Sequence, residues 1–475
     1  MPNWAERWPA TSGDRLPVHL VLTPVGSENT GVAINGDRLI DRLARLAQAG
    51  AVDGGGVTRL AWSPALVEAA ALVRGWAEQA GAHVRIDGAG NVIAELPGSN
   101  PGLPPLVTGS HLDTVVNGGY LDGAYGLVAG IEVLSSLKDG AGSLAHMLRV
   151  VAYANEEGVV GPAFTGSRAI AGRFEAAELD RIGPDGITVA DHLTGAQIGP
   201  GRSVGTPVGL DAGDAQRQAG SRPSERAQKV LAGLKATQWD GPVAATIELH
   251  VEQGPVLDRT GPVIGVVTGI AGQQRGVITI TGLANHAGTT PMAMRSDALL
   301  AAAEAILALR DLAVAGTADV ATAGRIEAYP NVANVVPGRC RLTLDIRAAD
   351  LTRLQTAVGV MSARLTQIGE ATRTTISVAL EPLLPPTPTD ARLQEMIGQS
   401  AGAHGLEWME MVSGAGHDCA NLSGLGPIAM IFVPSVGGVS HHPSEFTEPA
   451  HLVAGASVLL DVLVAADHQL KEPPH

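Results

Sequence analysis

Aromatic and basic residues are scarce in this chain of 475 residues. Aromatic residues make up 3% of it, which leaves little material for the stacked platforms that bind nucleic-acid bases. Lys and Arg number 32 against 47 Asp and Glu, so the formal net charge is -15. This balance argues against a general binder of nucleic acid or of anionic membranes, and we expect neither partner.

Cysteine and long apolar runs are also scarce. The two cysteines, Cys340 and Cys419, cannot form a disulfide framework, so we expect a reduced, cytoplasmic compartment. No apolar run approaches the roughly 20 residues of a membrane span. The N-terminus has no basic head followed by an apolar stretch, so no signal peptide is predicted. Hydrophobic residues make up 45% of the chain, which excludes a disordered protein and provides for a large core.

The spacing of apolar residues predicts alternating helices and strands. A helix is predicted from Gly36, and Ser63 followed by Pro64 indicates the start of a second helix. The next predicted elements are strands at 83–85 and 91–96, a strand ending at Thr108, a buried helix at 123–137, and strands at 148–153 and 243–249. This order predicts an α/β domain with a mixed sheet.

A second domain is predicted between residues 263 and 381. Its order is strand, helix, strand, strand, helix, strand, which is typical of a ferredoxin-like α+β unit. The strands are predicted at 276–281, 320–327, 339–347 and 374–380, and the helices at 296–313 and 351–368. The first domain would then comprise 35–262 and 382–475, after an N-terminal extension at 1–34. A polar, Gly-rich stretch at 195–240 predicts a long surface segment with one short helix after Pro223.

Two stretches place His and carboxylates just after predicted strands. In GSHLDTVVNGGYLDG at 109–123, His111 and Asp113 alternate along extended chain, so Asp113 can accept the imidazole N–H of His111. Asp122 precedes the buried helix, where an anionic side chain needs a partner. The adjacent Glu156 and Glu157 follow the apolar run MLRVVAYAN, and two such carboxylates are costly without a cation. An ordinary His with a helix-capping Asp, and a solvated strand end, are the alternative interpretations.

Two further stretches carry the same residue types. In IELHVEQGPVL at 247–257, alternation places Glu248, His250 and Glu252 on one side of a strand, which indicates either a site or a strand at a solvent-facing edge. In GVSHHPSE at 438–445, His441 and His442 lie in a Gly-flanked loop and are candidate metal ligands.

Taken together, these motifs resemble the hydantoinase/carbamoylase branch of the dinuclear-metal amidohydrolases, in the aminoacylase and carboxypeptidase clan. The branch contains N-carbamoyl-L-amino-acid hydrolases, β-ureidopropionases and allantoate amidohydrolases. The resemblance runs from about residue 36 to 468, except for the 195–240 segment. Besides the four stretches above, it is carried by NEEG, FTGSRAIAG, GLANHAGTTPM with the following Arg295, NVVPG, LDIR and SGAGHDCANL. It implies hydrolysis of N-carbamoyl-L-amino acids to amino acid, ammonia and CO2 by metal-activated water.

The resemblance also implies a cofactor and its ligands. Two divalent ions are expected, with Zn first and Mn, Co or Ni as alternatives. One set of ligands would be His111, Asp122 and His250, and the other Asp122, Glu157 and His441, so that Asp122 bridges the ions. Glu156 would be the general base. His442 falls where the family tolerates other residues and receives no role.

The remaining implied residues bind or position the substrate, a small carboxylate. In the second domain, His286 would stabilise the oxyanion, while Asn334 and Arg347 would bind the substrate carboxylate. In the family these come from the neighbouring subunit, so a homodimer formed through this lid domain is expected. Gln253 and the backbone of Gly416 would complete the pocket, and Asp113 and His417 would support the metal ligands.

The sequence departs from the family beside the pocket rather than in the ligand set. Val116 replaces the usual Pro, a Val-Val-Gly-Pro run follows Gly158, and the 195–240 segment and N-terminal extension are unusual. These departures leave the substrate open. The alternatives are an allantoate or ureidoglycolate amidohydrolase, an N-acyl aminoacylase, a one-metal peptidase and a non-catalytic metal-binding homologue.

Overall fold

The computed structural model describes residues 32–182, 186–194 and 223–470. The predicted N-terminal extension and most of the 195–240 segment lie outside these ranges, and only Val32–Ile34 of the extension is described. Helices α1–α13 are Gly36–Leu46, Pro64–Gln79, Ala124–Asp139, Thr165–Ile170, Ala176–Leu179, Val189–Leu193, Glu225–Lys235, Val256–Thr260, Ala298–Val314, Leu351–Thr372, Ala391–Ala403, Asp418–Leu422 and Pro449–Gln469. Strands β1–β16 are His83–Ile86, Val92–Leu96, Leu106–His111, Leu148–Tyr153, Ala245–Val251, Ile264–Ile270, Gly272–Thr281, Asn285–His286, Val320–Thr322, Ile326–Tyr329, Val335–Val336, Arg339–Ala348, Thr375–Leu380, Thr387–Pro388, Trp408–Ser413 and Ile428–Val433.

The chain forms two compact units. Unit 1 contains the described residues up to Thr268 together with Thr389–Met411 and those from His417 onward. Unit 2 contains Gly269–Pro388 and Val412–Gly416. The second unit is therefore an insertion in the chain of the first.

Unit 1 is built on a mixed sheet, as predicted. Its strands run in the order β1-β2-β4-β3-β5-β16-β6, and the pairs β4/β3, β3/β5 and β5/β16 are parallel. Every residue of β3, β5 and β16 is buried. Central parallel strands are covered on both faces, which is why these strands are nearly continuous apolar runs rather than alternating ones.

Small residues let α3 pack closely on this sheet. A Cβ at Gly126 would collide with the main-chain oxygen of Leu249 in β5, so the helix approaches the strand at a distance that only glycine permits. Fourteen residues of α3 are buried. The low aromatic content is consistent with this core of Ala, Val, Leu and Ile.

Local helix signals were predicted correctly. The Ser63 side chain accepts the N–H of Leu66, and Pro64 is the first residue of α2. The predicted helix after Pro223 is α7, which Ser224 caps by accepting the N–H of Ala227.

Strand β3 is longer than predicted. It does not stop at Thr108 but continues through Gly109 to His111. Gly109 has a φ of +140°, and a Cβ there would collide with the backbone of Val151 in β4. The glycine therefore permits close strand contact instead of ending the strand.

Unit 2 has the predicted ferredoxin-like order. Its antiparallel sheet runs β10-β12-β7-β13, and α9 and α10 pack on the face formed by alternate residues of β12 and β7. The single strand predicted at 320–327 is wrong, because β9 and β10 are separate. Ile326 pairs with Leu342 but Thr322 pairs with Asp345, so the 322–326 segment contains one extra residue. This bulge includes Gly324.

Helix α13 corrects the expectation about apolar runs. By length and composition it could cross a membrane, although Asp461 interrupts it. Two thirds of its most apolar window, 67%, is buried within the structure, as is typical of the core helix of a globular unit.

Candidate metal centre

Several chain segments meet at one edge of the unit 1 sheet. His111 ends β3, Glu156 and Glu157 follow β4, His250 lies near the end of β5, and the loop with His441 follows β16. Because parallel strands share one carboxyl edge, residues far apart in sequence converge there. The alternative interpretation of the His250 strand as a sheet edge is wrong, since β5 is paired on both sides.

Asp122 lies at the centre of this cluster. Its Oδ1 is 3.3 Å from Nε2 of His111 and 3.3 Å from Nε2 of His250. Its Oδ2 is 3.2 Å from Nε2 of His441, which lies 3.5 Å from Oε2 of Glu157. The two carboxylate oxygens therefore face two different groups of side chains, and these are the two predicted ligand sets.

The backbone around Asp122 is adapted to this contact. Gly123 has a φ of +63°, and a Cβ at this position would collide with the ring of His111. Asn155, Gln253 and His441 also have left-handed backbone conformations. Such conformations are unfavourable for residues with side chains and concentrate at functional sites.

The imidazole rings are oriented by main-chain carbonyl groups. Nδ1 of His111 is 2.9 Å from the carbonyl oxygen of Asp113, and Nδ1 of His250 is 2.8 Å from that of Val251. A proton on each Nδ1 leaves Nε2 of each ring, 3.3 Å from Oδ1 of Asp122, without a proton, which is the tautomer a metal ligand requires. Nε2 of His250 accordingly accepts the backbone N–H of Gly123 at 3.1 Å.

This donor set fits a divalent cation. Oδ1 of Asp122 is buried and has no hydrogen-bond partner among the described residues. His111, Asp122 and His250 offer ligand atoms within 4.8 Å of one another, and so do Asp122, Glu157 and His441. Mixed imidazole and carboxylate donors suit Zn, Mn, Co or Ni.

Charge crowding perturbs the pKa values of these groups. Burial alone would raise the pKa of Asp122, but its contacts with three histidines hold that pKa well below its usual range. The hydrogen bond to Asp122 raises the pKa of His441 to about 9. Burial raises the pKa of Glu157 to about 7, and nearby acidic charge adds to this effect. Burial likewise raises the pKa of Glu156 well above its usual range.

Asp113 acts through different atoms from those predicted. Its carboxylate does not accept the N–H of His111, because its carbonyl oxygen occupies that position. The buried carboxylate instead accepts the backbone N–H of Glu156 at 3.1 Å and that of Glu157 at 3.3 Å. Asp113 thus joins the His111 strand to the loop with the two glutamates.

Two other predicted residues, Gln253 and His417, contact the cluster. Nε2 of Gln253 donates to Oδ2 of Asp122 at 2.8 Å, while its Oε1 is buried without a hydrogen-bond partner in the described part of the chain. The ring of His417 contacts that of His250 edge-on at 4.9 Å, and burial lowers the pKa of His417 well below its usual value. Gly416 belongs to unit 2 and immediately precedes His417.

Glu248 and Glu252, the two carboxylates that flank His250 in sequence, make different contacts. Buried Glu248 accepts the hydroxyl of Ser110 and the N–H of Cys419. Glu252 lies beyond the end of β5 and accepts the N–H groups of Val256 and Leu257, so it caps α8 instead of facing the cluster.

In unit 2, His286 and Asn334 lie side by side. His286 pairs with Val335 in the short β8/β11 ladder, and the carbonyl of Asn334 accepts the N–H of Ala287. Nδ1 of His286 accepts the N–H groups of Gly288 and Thr289. In the neutral ring the proton is therefore on Nε2, which can donate to an oxygen atom.

Arg347 is held by Asp345 in a two-pronged contact. Nε and Nη2 donate to the Asp345 carboxylate at 3.1 and 2.8 Å, and Nη1 donates to the carbonyl of Gly414 at 2.6 Å. A guanidinium has five N–H groups. Two of them, one on each Nη, thus have no hydrogen-bond partner among the described residues and can receive a carboxylate.

Sequence reasoning missed three polar residues that order this region. Arg59 is buried and donates to the carbonyls of Leu112, Leu46 and Ala49. The Ser440 hydroxyl donates to the Asp122 carboxylate, and the Glu445 carboxylate accepts the backbone N–H of Asp122. The position of Arg59 inside the apolar run VTRLAW could have indicated its role. Ser440 and Glu445 lie within GVSHHPSE, a motif that was singled out for its histidines.

Known proteins match this chain over most of its length. The family model described as "Peptidase family M20/M25/M40" matches residues 107–465. An N-carbamoyl-L-amino acid amidohydrolase of Geobacillus stearothermophilus is 34% identical over 427 residues, which cover 90% of this chain and 97% of that protein. An allantoate amidohydrolase of Bacillus subtilis (strain 168) is 35% identical over 433 residues, covering 90% of this chain and 96% of that protein.

A solved structure extends the likeness to the fold. The crystal structure of a hydantoinase/carbamoylase family amidase from Burkholderia multivorans aligns with a TM-score of 0.79 and 32% identity. The alignment covers 93% of this chain and all of that one, 100%.

Proposed function

The chain belongs to the M20/M25/M40 family and, within it, to the hydantoinase/carbamoylase amidohydrolases, which hydrolyse linear amides, and we propose that its substrates are N-carbamoyl-L-amino acids. The products would be the amino acid, ammonia and CO2. The observation that carries this proposal is the position of Asp122 between two groups of imidazole and carboxylate donors.

We assign two divalent ions to these groups. His111, Asp122 and His250 would hold one ion, and Asp122, Glu157 and His441 the other. When bound, such a pair of ions polarises a carbonyl group and makes water more acidic. The homodimer and the cytoplasmic location remain proposals drawn from family resemblance and composition.

Glu156 is proposed as the general base. It is adjacent to the ligand Glu157, its side chain is 11% exposed, and burial favours its protonated form. A carboxylate of raised pKa is suited to take a proton from water and then give it to the leaving nitrogen. The Asp113 carboxylate keeps the backbone of Glu156 in place for both steps.

Unit 2 is proposed to recognise the rest of the substrate. The Nε2–H of His286 would donate to the carbonyl oxygen as negative charge develops on it. The two unoccupied N–H groups of Arg347 would bind the amino-acid carboxylate, and Asn334 would contribute to the same recognition. Gln253 and the backbone of Gly416 would complete the pocket, and the unpartnered Oε1 of Gln253 can accept an N–H of the ureido group.

A substrate panel tests the proposal. Metal-reconstituted protein is incubated with the L and D enantiomers of N-carbamoyl, N-formyl and N-acetyl amino acids, and separately with allantoate and ureidoglycolate. The release of ammonia and of amine is measured. We expect the N-carbamoyl-L compounds to give the highest kcat/KM. Faster hydrolysis of allantoate would favour an allantoate amidohydrolase, the second candidate function. The Bacillus subtilis relative supports that function with a similar sequence identity. Bound metal without any turnover would identify a non-catalytic homologue.

A further inference from the structure

The buried carboxylate of Glu445 contacts the backbone of Asp122. It follows His441 by four residues in the loop before α13, and its exposure is 1%. Its Oε1 accepts the backbone N–H of Leu121 at 2.9 Å and that of Asp122 at 3.0 Å. Its Oε2 accepts the hydroxyl of Ser440 at 2.8 Å. Glu445 therefore contacts the loop with Asp122 and the loop with His441, two of the three segments that carry ligands of the second predicted ion.

The same hydroxyl links Glu445 to the side chain of Asp122. Oγ of Ser440 is 2.9 Å from Oδ2 of Asp122, the oxygen that also faces His441. The two loops are separated by more than 300 residues of sequence, as the 323-residue gap between Asp122 and Glu445 shows. A Cβ at Gly119 would collide with the Glu445 side chain, so the carboxylate is tightly enclosed.

This position is unfavourable for a residue with only a packing role. A carboxylate loses its hydration on burial, and a second carboxylate nearby adds repulsion. While both carboxylates are ionised, the single hydroxyl proton of Ser440 can be donated to Asp122 or to Glu445 but not fully to both. The arrangement is costly for the protein alone but fixes the relative position of the two ligand loops.

We propose that Glu445 is a positioning residue that holds Asp122 and His441 in register for binding the second ion. The inference rests on the proposed metal centre. In the first ligand set, the histidine rings are oriented independently of Glu445, because the carbonyls of Asp113 and Val251 contact His111 and His250. Loss of Glu445 should therefore affect the two ions unequally.

The test is a Co²⁺ titration of the full-length protein in competition with a chelator. Glu445→Ala should weaken the binding of one of the two ions by roughly 10- to 100-fold, the usual effect of removing a group that orients a ligand, and weaken the binding of the other less, because Asp122 belongs to both ligand sets. The absorption bands of bound Co²⁺ should change at the same time. Glu445→Gln keeps an oxygen for the two N–H groups and should restore most of the affinity.

Asp467 provides a matched control. It is also a buried carboxylate, and it accepts the N–H groups of Ala145 and His146 within unit 1 but away from the cluster. Asp467→Ala should lower the melting temperature without changing either Co²⁺ affinity. Should Glu445→Ala not fold, Ser440→Ala breaks only the hydroxyl link and should weaken the same ion.

The outcomes separate this role from the metal centre itself. If the unaltered protein fails to bind two Co²⁺ ions, the proposed metal centre is wrong. If it binds two and the Glu445 or Ser440 variant binds both as tightly, or loses both equally, the positioning role is wrong while the centre stands.

Discussion

The adjacent Glu156 and Glu157 allow one chemical change to test two different roles. Their side chains are only 11% and 6% exposed, and the backbone N–H of each donates to the Asp113 carboxylate. Replacing either by Gln keeps the size and the backbone contact but removes the charge. Any difference between the two variants therefore reports what each carboxylate does.

For Glu156→Gln we expect kcat to fall by about 10²- to 10⁴-fold, because an amide cannot take the proton from water. This loss corresponds to about 3–5 kcal/mol of transition-state stabilisation. The variant should still bind two ions, since Oε2 of Glu156 is 3.8 Å from Nε2 of His111 and belongs to neither predicted ligand set.

For Glu157→Gln the expected defect is in metal binding. Its Oε2 lies 3.5 Å from Nε2 of His441 on the second ligand set, so the affinity for one ion should fall by at least ~10-fold. The assay is kcat for an N-carbamoyl-L-amino acid over a range of metal concentrations, with metal content measured in parallel. Excess metal should rescue Glu157→Gln but not Glu156→Gln. Near-normal kcat in Glu156→Gln, or rescue of that variant by metal, would refute the assignment of the base.

Three further predictions concern the substrate, the protons and the assembly. Arg347→Ala removes two hydrogen bonds to a charged partner and should raise KM by about 10- to 100-fold with a smaller effect on kcat, and an unchanged KM would exclude Arg347 from carboxylate binding. In the metal-free protein, the pKa values of Glu157 and His441 are raised to about 7 and about 9, so at pH 6 both hold protons that a metal ion must displace. Chelator competition should therefore show affinity rising from pH 6 to pH 8, whereas a pH-independent affinity would contradict these pKa values. Mixing Glu156→Gln with Arg347→Ala should restore about one quarter of the wild-type rate at low substrate if each site in a homodimer uses Arg347 of the other subunit, and no recovery would indicate a site within one chain.

Elements set by local signals were predictable from the sequence. Ser63 and Pro64 indicate the start of α2 because capping and N1 preferences act within one turn. Strand pairing was harder to predict. The strand predicted to end at Thr108 continues through Gly109, which permits contact with β4, and the bulge at 322–326 depends on register with β12. Both features arise from neighbours distant in sequence.

In the candidate site too, some features were predictable from the local sequence and others depend on residues distant in sequence. Residue types next to predicted strands indicated His111, Asp122, His250 and His441, and the structure brings them together. The atoms that orient them could not be predicted, because a main-chain carbonyl holds His111 where the Asp113 carboxylate was expected. Hydrogen bonds such as that from the backbone N–H of Asp122 to the Glu445 carboxylate join segments whose proximity exists only after folding.

The strand order of unit 1 has a consequence for biosynthesis. Strand β16 lies between β5 and β6 but is translated only after the whole of Gly269–Pro388. As the chain leaves the ribosome, β5 therefore waits with an open hydrogen-bonding edge while more than a hundred residues are added, and unpaired edges of this kind promote aggregation. A product truncated before Ile428 would lack this central strand as well as His441. Premature termination should thus yield insoluble protein instead of a partly active fragment.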